Sequence, residues 1–141
     1  MQKKWHIQYL CGITFWRDLK LKVTNKVLIP RPETELIVDI VFNVFRRKSE
    51  KLFFAELGTG SGAISIALAL AYPSSDGVAT DIDQDALEIA TKNFIKSSTQ
   101  SNLKFYCGNW WSPLESFKGK LDLAISNPPY IPKDTYEKLP K

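Results

Sequence analysis

Residues 52–81, LFFAELGTGSGAISIALALAYPSSDGVATD, decide the fold of this chain. LFFAEL (52–57) reads as a buried strand, GAISIALALAY (62–72) as an apolar helix and GVATD (77–81) as a second strand. The first strand runs straight into ELGTGSGA, which places glycines at 58, 60 and 62 just before the helix. Glycine belongs where the backbone turns tightly and where a ligand must approach without meeting a Cβ. The loop delivers the chain to a helix N-terminus, whose free N–H groups favour a polar or anionic ligand group. The second strand ends at Asp81, where this kind of fold places a carboxylate on ribose hydroxyls. Strand, glycine loop, helix, strand and acid together predict a site for a nucleoside cofactor. Gly58, Gly60 and Ala63 also satisfy the G-x-G-x-x-G/A pattern of NAD enzymes, so the loop alone does not choose the cofactor.

The alternation continues outward. ETELIVDIVFNVFRR (33–47) places Leu36, Ile37, Ile40, Val41, Val44 and Phe45 at helical spacing, and Arg46, Arg47 and Lys48 suit the negative end of its dipole. DALEIATKNFIK (85–96) is an amphipathic helix that Asp83 is placed to start. LKFYCG (103–108) and LDLAIS (121–126) read as further strands. Strands that are apolar almost throughout and alternate with helices predict a parallel sheet covered on both faces. The fold class is α/β, Rossmann-like and doubly wound, with a mainly parallel sheet. Before it, WHIQYLCGITFWRDLKLKV (5–23) predicts a short β-hairpin. In LIPRPETE (28–35), Pro30 and Pro32 forbid a helix, whereas Glu33 or Thr34 suits a helix start.

Bulk properties bound the function. A chain of 141 residues holds one domain at most, and 44% hydrophobic with 24% charged residues is ordinary for a globular protein. No apolar run approaches the roughly 20 residues of a membrane span, and the N-terminus lacks a signal-peptide pattern. Cys11 and Cys107 lie far apart without clustered histidines, which excludes a recognisable zinc framework, so no metal is expected. His6, the one histidine, reads as structural or incidental. The net charge of +4 comes with lysines spread along the chain, which fits a solvated surface better than a nucleic-acid patch.

The cofactor is decided by LDLAISNPPYIPKD (121–134), where a strand ends in Asn127-Pro128-Pro129-Tyr130. Ligands of an open parallel sheet sit outside the carboxyl ends of its strands, on the rim that holds the glycine loop and Asp81. An Asn side chain offers a carbonyl acceptor, and two prolines lack N–H groups, so their backbone offers acceptors only. With the face of Tyr130 these make a receptor for a flat, NH₂-bearing group. Methylation of such a nitrogen is the chemistry that suits it. Its lone pair is delocalised, and acceptors on both N–H bonds would hold it while positive charge develops on attack.

The series ELGTGSG, ATDIDQDALEIATKN, GNWWSPL and LAISNPPYIP resembles the class I S-adenosylmethionine-dependent methyltransferases. Within that class, YLCGITFWRDLKLKV followed by VLIPRPETELIVD resembles the HemK/PrmC family, which methylates the glutamine of the Gly-Gly-Gln loop in peptide chain release factors. The resemblance covers nearly the whole chain. It implies that Gly58, Thr59, Gly60, Ser61 and Gly62 cradle the methionine part of S-adenosyl-L-methionine, Asp81 holds the ribose and Trp110 lies beside the adenine. Asn127 would touch both cofactor and substrate; it and the Pro128 carbonyl would accept from the glutamine amide, with Pro129 and Tyr130 packed on it. Asn109 stands where the family usually has Asp, and one of Trp110 and Trp111 is expected to pack in the core. The implied partner is a release factor, with no membrane and no direct nucleic acid, and the protein is expected to be monomeric and cytoplasmic, or organellar if an N-terminal address is missing.

Family members usually carry a helical substrate-docking domain before the hairpin and further strands after NPPY. The expectation is therefore a chain truncated at both ends, with residues 1–27 a hairpin linker, residues 28–141 a partial methyltransferase domain and the strand before Asn127 an edge. Two alternatives stand beside this reading. One is an adenine-amino methyltransferase of DNA or RNA, which shares NPPY; the other is an inactive fragment that only binds cofactor.

Overall fold

The computed structural model describes residues 6–46 and 51–128. Helix α1 (Ile7–Cys11) precedes a hairpin of β1 (Ile13–Trp16) and β2 (Leu19–Lys22). A 3₁₀ turn (Pro32–Thr34) runs into α2 (Glu35–Val44). Then follow β3 (Phe53–Leu57), α3 (Ala63–Ala71), β4 (Asp76–Asp81), α4 (Gln84–Lys96), β5 (Asn102–Cys107), a 3₁₀ segment (Ser112–Phe117) and β6 (Leu123–Ser126).

Strands β3 to β6 form one parallel sheet in the order β5-β4-β3-β6. This is the doubly wound α/β sheet expected from the alternation of elements. The chain steps from β3 through β4 to β5 in one direction, then returns to lay β6 on the opposite side of β3. That reversal creates a switch point between β3 and β6, and β6 is an edge among the described residues.

Helix α3 is buried from Ala63 to Ala69, which its unbroken small and aliphatic sequence allows. Helix α4 buries Ala86, Leu87, Ile89, Ala90 and Asn93 on one face. Its first turn is capped by Asp83, whose carboxylate accepts from the Asp85 N–H at 2.8 Å. Phe54, Ile66, Leu68, Ala79 and Tyr72 form the middle of the core.

Two local expectations are corrected. The stretch 5–23 is divided: α1 forms first, ends at Gly12 (φ 70°), and the hairpin pairs only Ile13↔Lys22 to Trp16↔Leu19. Tertiary contact holds the short helix, because the Tyr9 hydroxyl donates to the Val27 carbonyl at 3.0 Å and its ring packs on Val23, Val27, Ala86 and Ile89. The hairpin shares the main core through Trp16, Leu19 and Leu21.

The second correction concerns α2. It buries Val38 and Val41, while Leu36, Ile40 and Val44 are exposed. Helical spacing identified the helix, but several turns' worth of apolar residues could not say which stripe meets α3. Arg46 Nε donates to the Asn43 carbonyl at 3.3 Å; Arg47 and Lys48 lie outside the described residues.

Candidate active site

Strand register assembles the site. Leu57 is paired with Thr80 on one side and Ser126 on the other, and Asp81 is paired with Cys107. The next positions along β3 and β6 are Gly58 and Asn127, so Asn127, Gly58 and Asp81 leave the sheet abreast at the carboxyl ends of three adjacent strands. This is the switch point, where the divergence of connections leaves a crevice.

The glycine loop is closed by paired bonds: the Gly58 and Thr59 N–H groups both donate to the Thr80 carbonyl at 2.9 Å. Gly60 turns at φ 54° and its N–H donates to Asp81 Oδ2 at 2.8 Å. Among the described residues no atom lies within 4 Å of where a Cβ would stand on Gly58 or Gly60, so the backbone there faces open cleft. Gly62 differs. At φ 83° a Cβ would meet Ala90 Cβ and Ile66 Cδ1 at 3.1 Å, so this glycine serves the contact of α3 with α4. Asp81 Oδ1 accepts from the Asp83 N–H at 3.1 Å. Each Asp81 oxygen thus holds one backbone N–H and keeps a further lone pair for a ligand.

Beneath the loop lies Glu56, 2% exposed in a strand otherwise apolar. Its Oε2 accepts from Thr59 Oγ1 at 2.7 Å, from the Ser65 N–H at 3.0 Å and from the Ser65 hydroxyl. Burial pushes its carboxyl from 4.5 up to about 7, against the opposing pull of the Ser65 and Thr59 hydrogen bonds. Sequence reasoning missed this residue, although an acid as fourth of five strand residues just before a glycine loop was a usable signal. It also missed Asn93. That buried amide accepts from the Lys22 N–H at 2.7 Å and donates to the Lys22 carbonyl at 3.0 Å and the Ser61 carbonyl at 2.9 Å. It ties the hairpin and α4 to the glycine loop.

Two hollows meet over the row of Asn127, Gly58 and Asp81. One, of about 510 Å³, is lined by Thr34, Glu56, Thr59, Ser61 and Ile64 among others. The other, of about 370 Å³, is lined by Asp81, Ile82, Asn109 and Trp110 among others. Both are bordered by Leu28, Gly58, Gly60, Asn127 and Pro128, so the hollows form one bent cleft with Asn127 at the elbow. The structure therefore brings Gly58, Thr59, Gly60, Ser61, Asp81, Trp110, Asn127 and Pro128 together. Thr59 spends its hydroxyl on Glu56, and Gly62 is not among the lining residues. Pro129 and Tyr130 lie outside the described residues.

The expectation that one tryptophan packs in the core is not met. Trp110 is 52% exposed beside Asp81's hollow, and Trp111 is 46% exposed over a separate groove with Leu114, Leu121 and Leu123. Trp110 holds φ 47°, and its carbonyl accepts from Thr80 Oγ1 at 3.4 Å. Among the described residues no group of three or more His, Cys, Asp or Glu is placed to hold a metal ion. Both cysteines are exposed and free, and no described helix is long and apolar enough to cross a membrane.

A doubly wound sheet with a bent cleft across its switch point, glycine-floored and ending on a carboxylate, defines a Rossmann-like nucleoside-cofactor protein. The family profile of the methyltransferase small domain matches residues 35–138, and the chain belongs to that family. It is similar to the release factor glutamine methyltransferase of Synechocystis sp., with 45% identity over 94% of this chain and 46% of the relative. The protein of the same name from Prochlorococcus marinus is 44% identical over 90% of this chain and 44% of its own length. The chain thus spans about half the length of the curated relatives it matches. In fold it is similar to an S-adenosylmethionine-dependent methyltransferase of Agrobacterium tumefaciens, with a TM-score of 0.67, 14% identity and coverage of 82% of this chain and 39% of that one.

Proposed function

We propose that this chain takes part in methyl transfer from S-adenosyl-L-methionine to the side-chain amide nitrogen of the glutamine in the Gly-Gly-Gln loop of a peptide chain release factor. The observation that carries the reading is the placement of Asn127 and Pro128 at the elbow of the cleft, beside the glycine loop and facing both hollows. The names of its relatives supply the acceptor.

The cradle fits the cofactor. The open backbone at Gly58 and Gly60 admits a ligand without meeting a side chain, and Asp81 keeps lone pairs for hydroxyls. Thr59 and Ser61 complete the wall of the larger hollow, and Trp110 offers a ring to the smaller. The bound cofactor supplies a methyl group made electrophilic by its sulfonium.

The chain's own contribution is to the acceptor. Asn127 Oδ1 and the Pro128 carbonyl hold the glutamine NH₂ through its two N–H bonds, fixing the nitrogen's direction of approach. Positive charge that would grow on that nitrogen as it takes the methyl group would be stabilised by the two carbonyl dipoles. One N–H proton then leaves to solvent, and the amide regains its delocalisation. Pro129 and Tyr130 follow directly in sequence and are proposed to pack on the amide plane. The reaction belongs where release factors work, in the cytoplasm.

The test is transfer of labelled methyl to a release factor, with a Gly-Gly-Ala loop variant and nucleic acid as competing acceptors. Label is expected on the glutamine alone, and Asn127→Ala is expected to reduce transfer about a hundredfold or more. Label on nucleic acid instead, or transfer indifferent to Asn127, would overturn the reading.

A further inference from the structure

The IPRPET segment contains a buried threonine that the proposed chemistry does not use. Thr34 ends the 3₁₀ turn and stands immediately before α2. A threonine there ordinarily turns its hydroxyl to an N–H of the helix's first turn. In this chain its backbone is already helical, with φ −66° and ψ −21°, and the side chain makes no capping bond. Its hydroxyl oxygen instead accepts from Asn127 Nδ2 at 3.1 Å, across 93 positions of sequence.

Thr34 is firmly held. It is 8% exposed, and its N–H donates to the Arg31 carbonyl at 3.0 Å. The same carbonyl accepts the indole N–H of the buried Trp16 at 3.0 Å, which ties the segment to the hairpin. Arg31 precedes Pro32 and is extended, with φ −84° and ψ 151°, the conformation that a following proline favours. The prolines, the hairpin and the 3₁₀ turn thus converge on one fixed hydroxyl.

We propose that Thr34 is a positioning residue that holds the Asn127 side-chain amide at the elbow of the cleft. An asparagine amide has a donor end and an acceptor end. With Nδ2 engaged by Thr34, Oδ1 is the end left to accept from an incoming NH₂. The opposite orientation would set donor against donor and forfeit one of the two acceptors on the methyl-accepting nitrogen. The threonine hydroxyl fixes where the amide stands, and in the bonded arrangement Nδ2 is the end it holds. This inference rests on the proposed role of Asn127 in holding the acceptor amide.

The test has a readout that needs no catalysis. Side-chain ¹⁵N–¹H spectra of the 141-residue chain are compared for wild type, Thr34→Val and Thr34→Ser, with Asn127→Ala identifying the signal. The Asn127 NH₂ pair is expected to be shifted and protected in wild type and Thr34→Ser, and to move to solvent-exposed positions in Thr34→Val. Should Thr34→Val fail to fold, Thr34→Ala carries the same expectation. Affinity for S-adenosyl-L-methionine by calorimetry should stay within about threefold in Thr34→Ser, which keeps the hydroxyl on the wall of the larger hollow. In the transfer assay Thr34→Val should lower kcat about ten- to a hundredfold with KM for the methyl donor unchanged, and Thr34→Ser should restore most of it. An Asn127 signal unmoved by Thr34→Val, or a Thr34→Val protein that turns over like wild type, overturns the proposal. If the wild-type chain transfers no methyl, the acceptor reading of Asn127 falls instead, and the amide signals alone decide whether Thr34 holds its side chain.

Discussion

Replacing Glu56 by glutamine should change how the stability of this protein depends on pH. Glu56 is buried beneath the glycine loop with no cation beside it among the described residues, and its carboxyl is pushed from 4.5 to about 7. Desolvation is the largest cause; the donors from Ser65 and Thr59 oppose it and reduce the shift without reversing it. Because the folded state holds the proton more tightly than the unfolded chain, the contribution is fully present below pH 4.5. It is lost as pH rises through about 7. Over that window each pH unit removes ~1.4 kcal/mol, so the whole loss is about 3 kcal/mol. Glutamine keeps one carbonyl oxygen for the same donors and does not titrate. The difference in unfolding free energy, wild type minus Glu56→Gln, should therefore fall by about 3 kcal/mol between pH 4.5 and 8. Urea unfolding of both proteins at four or five pH values measures it, and subtraction removes every other titrating group. A difference that stays flat would mean Glu56 is charged in the fold at neutral pH, stabilised by its donors more than burial opposes it. That result would refute the reasoning.

Two further substitutions probe the frame around the cleft. Gly62→Ala forces a side chain to adopt φ 83° and presses its Cβ to 3.1 Å from Ala90 Cβ. It should cost about 2 kcal/mol by denaturant unfolding, and a loss under about 0.5 kcal/mol would show that α3 and α4 separate easily. Asn93→Ala leaves the Lys22 N–H and the carbonyls of Lys22 and Ser61 without this partner. About 3 kcal/mol should be lost, together with affinity for S-adenosyl-L-methionine measured well below the unfolding midpoint. Unchanged cofactor affinity would uncouple the hairpin from the glycine loop.

Parts of the site were legible in the sequence for local reasons. A glycine at a left-handed φ, such as Gly60, is required by its own backbone, and the requirement is visible wherever such glycines interrupt a strand–helix passage. Asp83 announced a helix start because capping spans only two residues, from its carboxylate to the Asp85 N–H. The hairpin was placed too early because WHIQYLC carries apolar residues that suit either period. What selects the helix is Tyr9 reaching Val27. Glu56 was passed over because its importance lies in the environment above it rather than in the residue. Gly62 packs against Ala90, 28 positions further along the chain, a contact that spacing does not reveal.

The alternation of strands and helices, the turn at the glycines and the chemical types on the rim are readable from residue order alone. These depend on backbone sterics and on periodicity over a few residues. That Asn127 stands abreast of Gly58 and Asp81 is a product of folding, because strand order and register are set by packing between segments far apart in sequence. Folding also decides the partner of Asn127's amide. The hydroxyl of Thr34 lies 93 positions away, and a hydrogen bond of that span exists only once the sheet has brought its ends together.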